Sequence, residues 1–149
     1  MTRIPATVGS GGAFYPFVGV DVRLPAGLAP RVFTALVDSG ADRTVVPRFV
    51  IDALGVDHRT LPILADERGT PLKGEGADGR FEIRICRGSV RWQGVTICEE
   101  FWVTNAPVVL LGRADFFRRF DVFFDWSATL PYMDIEPAGS ARALGSMSN

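Results

Sequence analysis

The chain of 149 residues has little of the residue types on which many functional sites depend. It has a single histidine, His58, and two cysteines, Cys86 and Cys98. Three such residues are too few for a typical closed zinc site, and we therefore expect no metal. A Ser-His-Asp or Cys-His catalytic group would have to use His58, which lies in a polar segment and is expected to be a solvated loop residue. We also expect no cofactor.

Long apolar runs and blocks of like charge are missing as well. The 16 basic and 17 acidic residues are mixed along the chain, which favours neither nucleic acid nor an anionic membrane as a partner. No apolar run approaches the roughly 20 residues that span a bilayer. Residues 1–12 lack the apolar core of a signal peptide. We therefore expect a cytoplasmic protein with reduced thiols.

Short strands dominate what is present. Apolar or alternating segments predict strands over residues 14–24, 31–37, 44–46, 80–91, 95–104, 108–111, 122–125 and 132–135. Helical spacing predicts short helices at residues 49–54 and 114–120. This pattern predicts one mainly β, barrel-like domain over residues 13–137. Residues 1–12 are expected to be flexible or extended, and residues 138–149 to be a disordered tail.

Each predicted helix has an apolar face, and we expect the face of the second helix to lie in the core. In the first helix this face consists of Phe49, Val50, Ala53 and Leu54. In the second it consists of the phenylalanines at positions 116, 117 and 120. We expect all the phenylalanines of residues 116–124 to be core residues.

One motif stands out against this pattern, because the apolar strand Ala35-Leu36-Val37 runs directly into Asp38-Ser39-Gly40. Alone, Asp-Ser-Gly is typical of turns, since Asp and Ser bond to nearby backbone and Gly accepts positive φ. Its context is more informative. Ala41-Asp42-Arg43-Thr44 follows, and a second segment, Val109-Leu110-Leu111-Gly112-Arg113, comes far downstream.

The two segments ALVDSGADRTVVP and VVLLGRADFF together resemble the retropepsin family, the retroviral-type aspartic proteases. The resemblance spans roughly residues 14–125, and the helix at residues 49–54 is more similar to bacterial single-domain members than to viral ones. It implies a retropepsin-like closed β-barrel, the acid-protease half, with one or two short helices. It also implies the activity of an aspartic endopeptidase.

The resemblance implies a role for each matched residue. Asp38 would be the catalytic carboxylate, and Ser39 would hydrogen-bond across to a partner loop. Gly40 would let two such loops approach closely, because a Cβ there would clash. Asp42 and Arg113 would form an internal ion pair. The residues that would support the active-site loop are Ser39, Gly40, Ala41, Asp42, Leu111, Gly112 and Arg113.

The sequence has a single copy of this loop, since no second Asp-Ser-Gly or Asp-Thr-Gly occurs. Two carboxylates about 3 Å apart cannot both ionise, so such a pair shares one proton and can act as base and acid together. We therefore expect a C2 homodimer with Asp38 of each subunit at the axis, acting on an extended peptide or protein. The alternative is a catalytically silent binding or dimerisation module that keeps the fold.

A glycine-rich segment, Gly74-Glu75-Gly76-Ala77-Asp78-Gly79, matches the G-x-G-x-x-G pattern of dinucleotide-binding loops. A predicted strand follows instead of a helix, and the two acidic residues would repel a pyrophosphate, so we reject that function. Two interpretations of the segment remain: an ordinary hairpin turn, or a flap that closes over a peptide. We favour residues 74–79 as the flap tip over the competing turn at residues 66–69. Phe101 and Trp102 are candidates to line the groove, although packing is the default.

Overall fold

The structure, a computed structural model, describes residues 1–76 and 79–139. The described strands are β1 (Thr2–Pro5), β2 (Thr7–Val8), β3 (Phe14–Tyr15), β4 (Phe17–Arg23), β5 (Arg31–Val37), β6 (Val45–Pro47), β7 (Lys73–Gly76), β8 (Gly79–Glu82), β9 (Arg84–Trp92), β10 (Val95–Thr104), β11 (Val109–Leu111), β12 (Phe120–Asp125) and β13 (Tyr132–Pro137). Helix α1 (Arg48–Ala53) follows β6, and α2 (Phe116–Arg119) follows β11. No helix among the described residues is long and apolar enough to cross a membrane.

Six strands close into a barrel in the order β10-β6-β11-β5-β4-β9. The alternation predicted from the sequence determines which side chains point inward. In β4, for example, Val18, Val20 and Val22 are buried while Gly19 and Asp21 are exposed. The core therefore fills the barrel, and the predicted mainly β class with a closed barrel is confirmed.

Strand β11 lies between the two strands that flank the Asp38 loop. It runs parallel to β5, with Leu111 opposite Val37, and antiparallel to β6, with Leu110 opposite Val45. Since β5 and β11 are parallel, their carboxyl ends meet at the same edge of the barrel. This pairing brings the loop that begins at Asp38 next to the segment that begins at Gly112.

The two ends of the described chain form a separate three-stranded sheet in the order β1-β13-β12. The Arg3 guanidinium donates two hydrogen bonds to the Asp134 carboxylate, at 2.8 and 2.9 Å, and lies 3.9 Å from the centre of the Tyr132 ring. Residues 1–12, expected to be flexible or extended, thus include an edge strand. Residues 140–149 of the predicted tail lie outside the described residues.

Some apolar residues singled out in the sequence are exposed, and the core predictions for Phe123 and Phe124 are wrong. Phe49, on the predicted apolar face of the first helix, is 54% exposed, because α1 turns Val50 and Ile51 towards the core instead. Phe123 and Phe124 are 61% and 39% exposed, since burial declines along β12 after Phe120. The other predicted core phenylalanines, at positions 116, 117 and 120, are buried or half-buried.

Candidate active site

The loop after β5 places Asp38 at the lip of the barrel. The Asp38 backbone N–H donates to the carbonyl of Leu111 at 3.1 Å, and the Asp38 carbonyl accepts from the Ala41 N–H at 3.2 Å. The Asp38 side chain accepts a hydrogen bond from the Gly40 N–H at 2.9 Å. Asp38 is half-buried, whereas Ser39 and Gly40 are exposed. The carboxylate is therefore oriented by its own loop while part of the residue faces solvent.

The segment after β11 holds the same loop from the other side. Arg113 donates its backbone N–H to Ala41, and Ala114 donates its own to Asp42, each at 2.9 Å. The side chains of Arg113 and Asp42 form an ion pair and are 59% and 73% exposed. An ion pair as exposed as this contributes little to stability, so the backbone bonds carry most of the support.

Gly112 is buried where these two segments cross. A Cβ at position 112 would clash with the carbonyl of Arg43 and lie 2.8 Å from the Arg43 Cα. Backbone atoms cannot rotate away as a side chain can. The close crossing of the two segments therefore requires glycine at this position.

Asp115 is a supporting residue that the sequence reasoning missed. Its carboxylate accepts a hydrogen bond from the Thr44 backbone N–H at 2.8 Å, where the Asp38 loop enters β6. An aspartate directly before a helix is typical of an N-cap, and α2 begins at Phe116. The Asp115 side chain makes no such cap bond. Its partner lies 71 positions away along the chain, so only the fold identifies the contact.

A cleft of about 610 Å³ opens beside this loop. Its roof comes from the β7–β8 hairpin and Ile83, one wall from Trp102 and residues 104–107, and its floor from Ala41, Asp42, Arg43, Val45 and Leu110. Trp102 lines the cleft, whereas Phe101, on the opposite face of β10, is 2% exposed and packs in the core. Asp38 does not line the cleft of a single chain; the lining begins at Ala41, three residues further along the same loop.

The described residues of the predicted flap lie in the β7–β8 hairpin. Strands β7 and β8 form a two-stranded hairpin in which Lys73 pairs with Glu82 and Gly76 with Gly79. Gly74, Glu75 and Gly79 line the cleft, while Ala77 and Asp78 lie outside the described residues. Ile83 interrupts the strand predicted over residues 80–91 and separates β8 from β9. The competing turn at residues 66–69 does not line the cleft.

The two cysteines are unsuited to nucleophilic chemistry. Both are free and buried, and burial raises the pKa of Cys86 to about 11 and that of Cys98 to about 12. The thiolate, which is the reactive form, is therefore scarce near neutral pH. Cys86 lies opposite Phe101 and Cys98 opposite Val90 in the β9–β10 ladder, so the two thiols do not face each other there.

The histidine lies in a small polar cluster outside the cleft. His58 pairs with Asp52 at 2.9 Å, its side chain is 22% exposed, and its hydrogen bond lowers the pKa of Asp52. Asp52, Asp57 and His58 carry potential metal-ligand atoms within 4.8 Å of one another. Asp57 already accepts hydrogen bonds from Arg59 at 3.0 and 3.1 Å. Ion pairs among these side chains account for the cluster.

Of the comparisons with known proteins, the one with solved structures bears on the fold. No protein-family model and no curated protein matches the chain. A retropepsin-like aspartic protease from Rickettsia conorii matches with a TM-score of 0.55 and 16% identity, over 90% of this chain and 99% of that chain. EIAV protease, in complex with an inhibitor, matches with a TM-score of 0.50 and 18% identity, over 72% and 89%. The chain therefore has the fold of the retropepsin-like aspartic proteases.

Proposed function

We propose that this protein is an aspartic endopeptidase that acts as a homodimer. The observation that carries the proposal is the setting of Asp38. Asp38 has no ion pair with any of the described residues, and its carboxylate accepts a hydrogen bond from the Gly40 N–H of its own loop. Backbone bonds hold this loop, which leads at Ala41 into the lining of a roofed cleft, in a fold that proteases of this kind share.

The proposed chemistry needs two Asp38 carboxylates, one from each subunit of a C2 dimer. The ionised carboxylate removes a proton from a water, which attacks the carbonyl carbon of the scissile peptide bond. The protonated carboxylate polarises the carbonyl oxygen, and the amine then leaves with a proton supplied by the pair. In each loop the Gly40 N–H, 2.9 Å from Asp38 Oδ1, keeps the carboxylate oriented during the cycle.

The exposed residues of the Asp38 loop are available for contact with a second copy of the chain, which supports the proposed dimer. Ser39 and Gly40 are exposed, and the Ser39 hydroxyl makes no hydrogen bond within residues 1–76 and 79–139. In the proposed assembly Ser39 bonds to the facing loop, and Gly40 leaves room for the two loops to approach. Since Asp38 does not line the cleft of one chain, the proposed second copy completes the site, and an extended peptide lies between floor and roof as an added strand.

The cytoplasm is the compartment we propose for this activity. Two buried, unpaired cysteines suit a reducing environment, in which disulfides rarely form. The protease would then act on cytoplasmic peptides or proteins.

The central test replaces the carboxylate alone. We expect Asp38→Asn to lower kcat/KM for peptide cleavage by a factor of about 10²–10⁴, because neither base nor acid remains. Cleavage of a peptide library from acidic to neutral pH measures the loss, and light scattering measures the dimer, which should persist. The matched control is Asp21→Asn, at an exposed aspartate of β4.

Three results would contradict the proposal in different ways. Full activity of Asp38→Asn would remove Asp38 from the chemistry. A fully active protein that stays monomeric at high concentration would exclude the shared site. Peptide binding without any turnover by the wild type would identify the silent binding module instead.

A further inference from the structure

The charges that line the cleft are unequally compensated. Four charged side chains line it, and three of these have partners: Asp42 pairs with Arg113, and Glu75 of the roof pairs with Arg80 at 3.5 Å. The fourth is Arg43, which has no carboxylate partner among the described residues. The floor of the cleft therefore presents one uncompensated guanidinium.

Arg43 stands on a fixed piece of backbone. Its carbonyl packs against Gly112, where no side chain fits. The next residue, Thr44, donates its N–H to Asp115 at 2.8 Å and accepts from the Trp102 N–H at 3.2 Å. The Arg43 guanidinium lies 5.6 Å from the centre of the Trp102 ring. A cation–π contact at this distance favours guanidinium positions near the ring, so some freedom is already lost before a ligand binds.

The surroundings of Arg43 strengthen its attraction for a negative charge. Apolar side chains of the floor and roof, including Val45, Phe81, Ile83 and Leu110, also line the cleft. A peptide in the cleft displaces water from these surfaces, and Coulomb attraction grows as the effective dielectric constant falls. A guanidinium binds a carboxylate through two parallel charge-assisted hydrogen bonds.

We propose that Arg43 makes this protein select peptides with an acidic side chain, glutamate or aspartate, at the position that lies beside Trp102. This inference rests on the proposed function for cleavage, although the binding preference stands without turnover. A glutamine of the same shape as glutamate retains the hydrogen-bonding oxygen but lacks the charge. We therefore expect discrimination of roughly tenfold or more between the two.

Synthetic octapeptide pools test the proposal, each with glutamate, glutamine or lysine fixed at one position. For the wild type we expect one position at which glutamate raises kcat/KM roughly tenfold or more over glutamine. Arg43→Gln should abolish that ratio, and Arg43→Glu should turn it into a preference for lysine. The matched control is Arg31→Gln, whose guanidinium lies 5.6 Å from the Phe33 ring, outside the cleft, and which should keep the ratio.

A binding arm separates this proposal from the proposed function. The same pools are titrated by calorimetry into the Asp38→Asn protein with and without the additional Arg43→Gln substitution, after thermal unfolding confirms that both variants are folded. Preferential binding of glutamate pools that depends on Arg43 supports the inference even if the wild type cleaves nothing. An equal glutamate-to-glutamine ratio with and without Arg43→Gln, in cleavage and in binding, would overturn it even if cleavage is robust.

Discussion

The floor and the roof of the cleft are built in opposite ways. The floor is tied into the barrel by backbone hydrogen bonds to the segment after β11 and by the bond from Thr44 to Asp115. The roof is a two-stranded hairpin whose strands pair only with each other among the described residues. It is anchored at its base, where Arg84 donates to the carbonyls of Arg59 and Leu61 at 2.9 and 2.6 Å. Its Glu75–Arg80 pair is 75% and 74% exposed.

This difference fits what a peptidase of the proposed kind needs. Paired carboxylates work only if their positions are fixed. Each backbone hydrogen bond to the loop that carries Asp38 helps to fix its position. A cover over the substrate has to open and close. An isolated two-stranded hairpin is marginally stable in water, so we expect the roof to open more readily than the barrel unfolds.

The largest effect is expected from filling the crossing beneath the floor. Gly112→Ala should lower the free energy of unfolding by roughly 3 kcal/mol, because the new Cβ clashes with the Arg43 backbone, which must shift. Urea denaturation measures the change. The control is Gly19→Ala in β4, where the new Cβ meets only the exposed Val32 side chain at 3.2 Å and should change stability by less than about 1 kcal/mol. Equal losses in the free energy of unfolding at the two positions would contradict the view that the floor is rigid.

A smaller loss of stability is expected from the matching change in the roof. Gly74→Ala puts a Cβ into the Phe81 ring, which is a side chain that can turn aside. We expect stability to fall by less than about 1 kcal/mol. Because Phe81 lines the cleft, kcat/KM should fall several-fold in the same variant. A loss of stability as large as that of Gly112→Ala would place the roof in the cooperative core of the barrel.

The smallest effect is expected in the three-stranded sheet β1-β13-β12, which belongs to neither the floor nor the roof of the cleft. The hydrogen bond from Arg3 lowers the pKa of Asp134, so the folded protein favours the ionised carboxylate. This contribution to stability is present above the ordinary aspartate pKa of about 3.9 and is lost as pH falls through the lowered folded pKa. Asp134→Asn should therefore be slightly less stable than the wild type at pH 7, and the gap in urea midpoints should close in acid. A gap that widens in acid would contradict the pairing.

How far the sequence predicted the site differs between its parts. The position of Asp38 at a strand end was predictable, because apolar runs and turn residues are local signals. The contact between Asp115 and Thr44 was not, since it joins segments 71 positions apart. The exposure of Phe49 was missed for a related reason. Spacing identifies the apolar residues of a helix, and the neighbouring strands decide which of them are covered.

By itself, the sequence determined the local elements: the alternating strands, the single Asp-Ser-Gly loop, and the turns between the strands. The tertiary structure decided the partners. It inserted β11 between β5 and β6, joined β1 to β13 at the opposite end of the described chain, and set Arg43 beside Trp102 in the cleft. The physical reason is that strand propensity and turn chemistry act over a few neighbouring residues. Strand pairing and side-chain packing depend instead on which distant surfaces bury the most apolar area together.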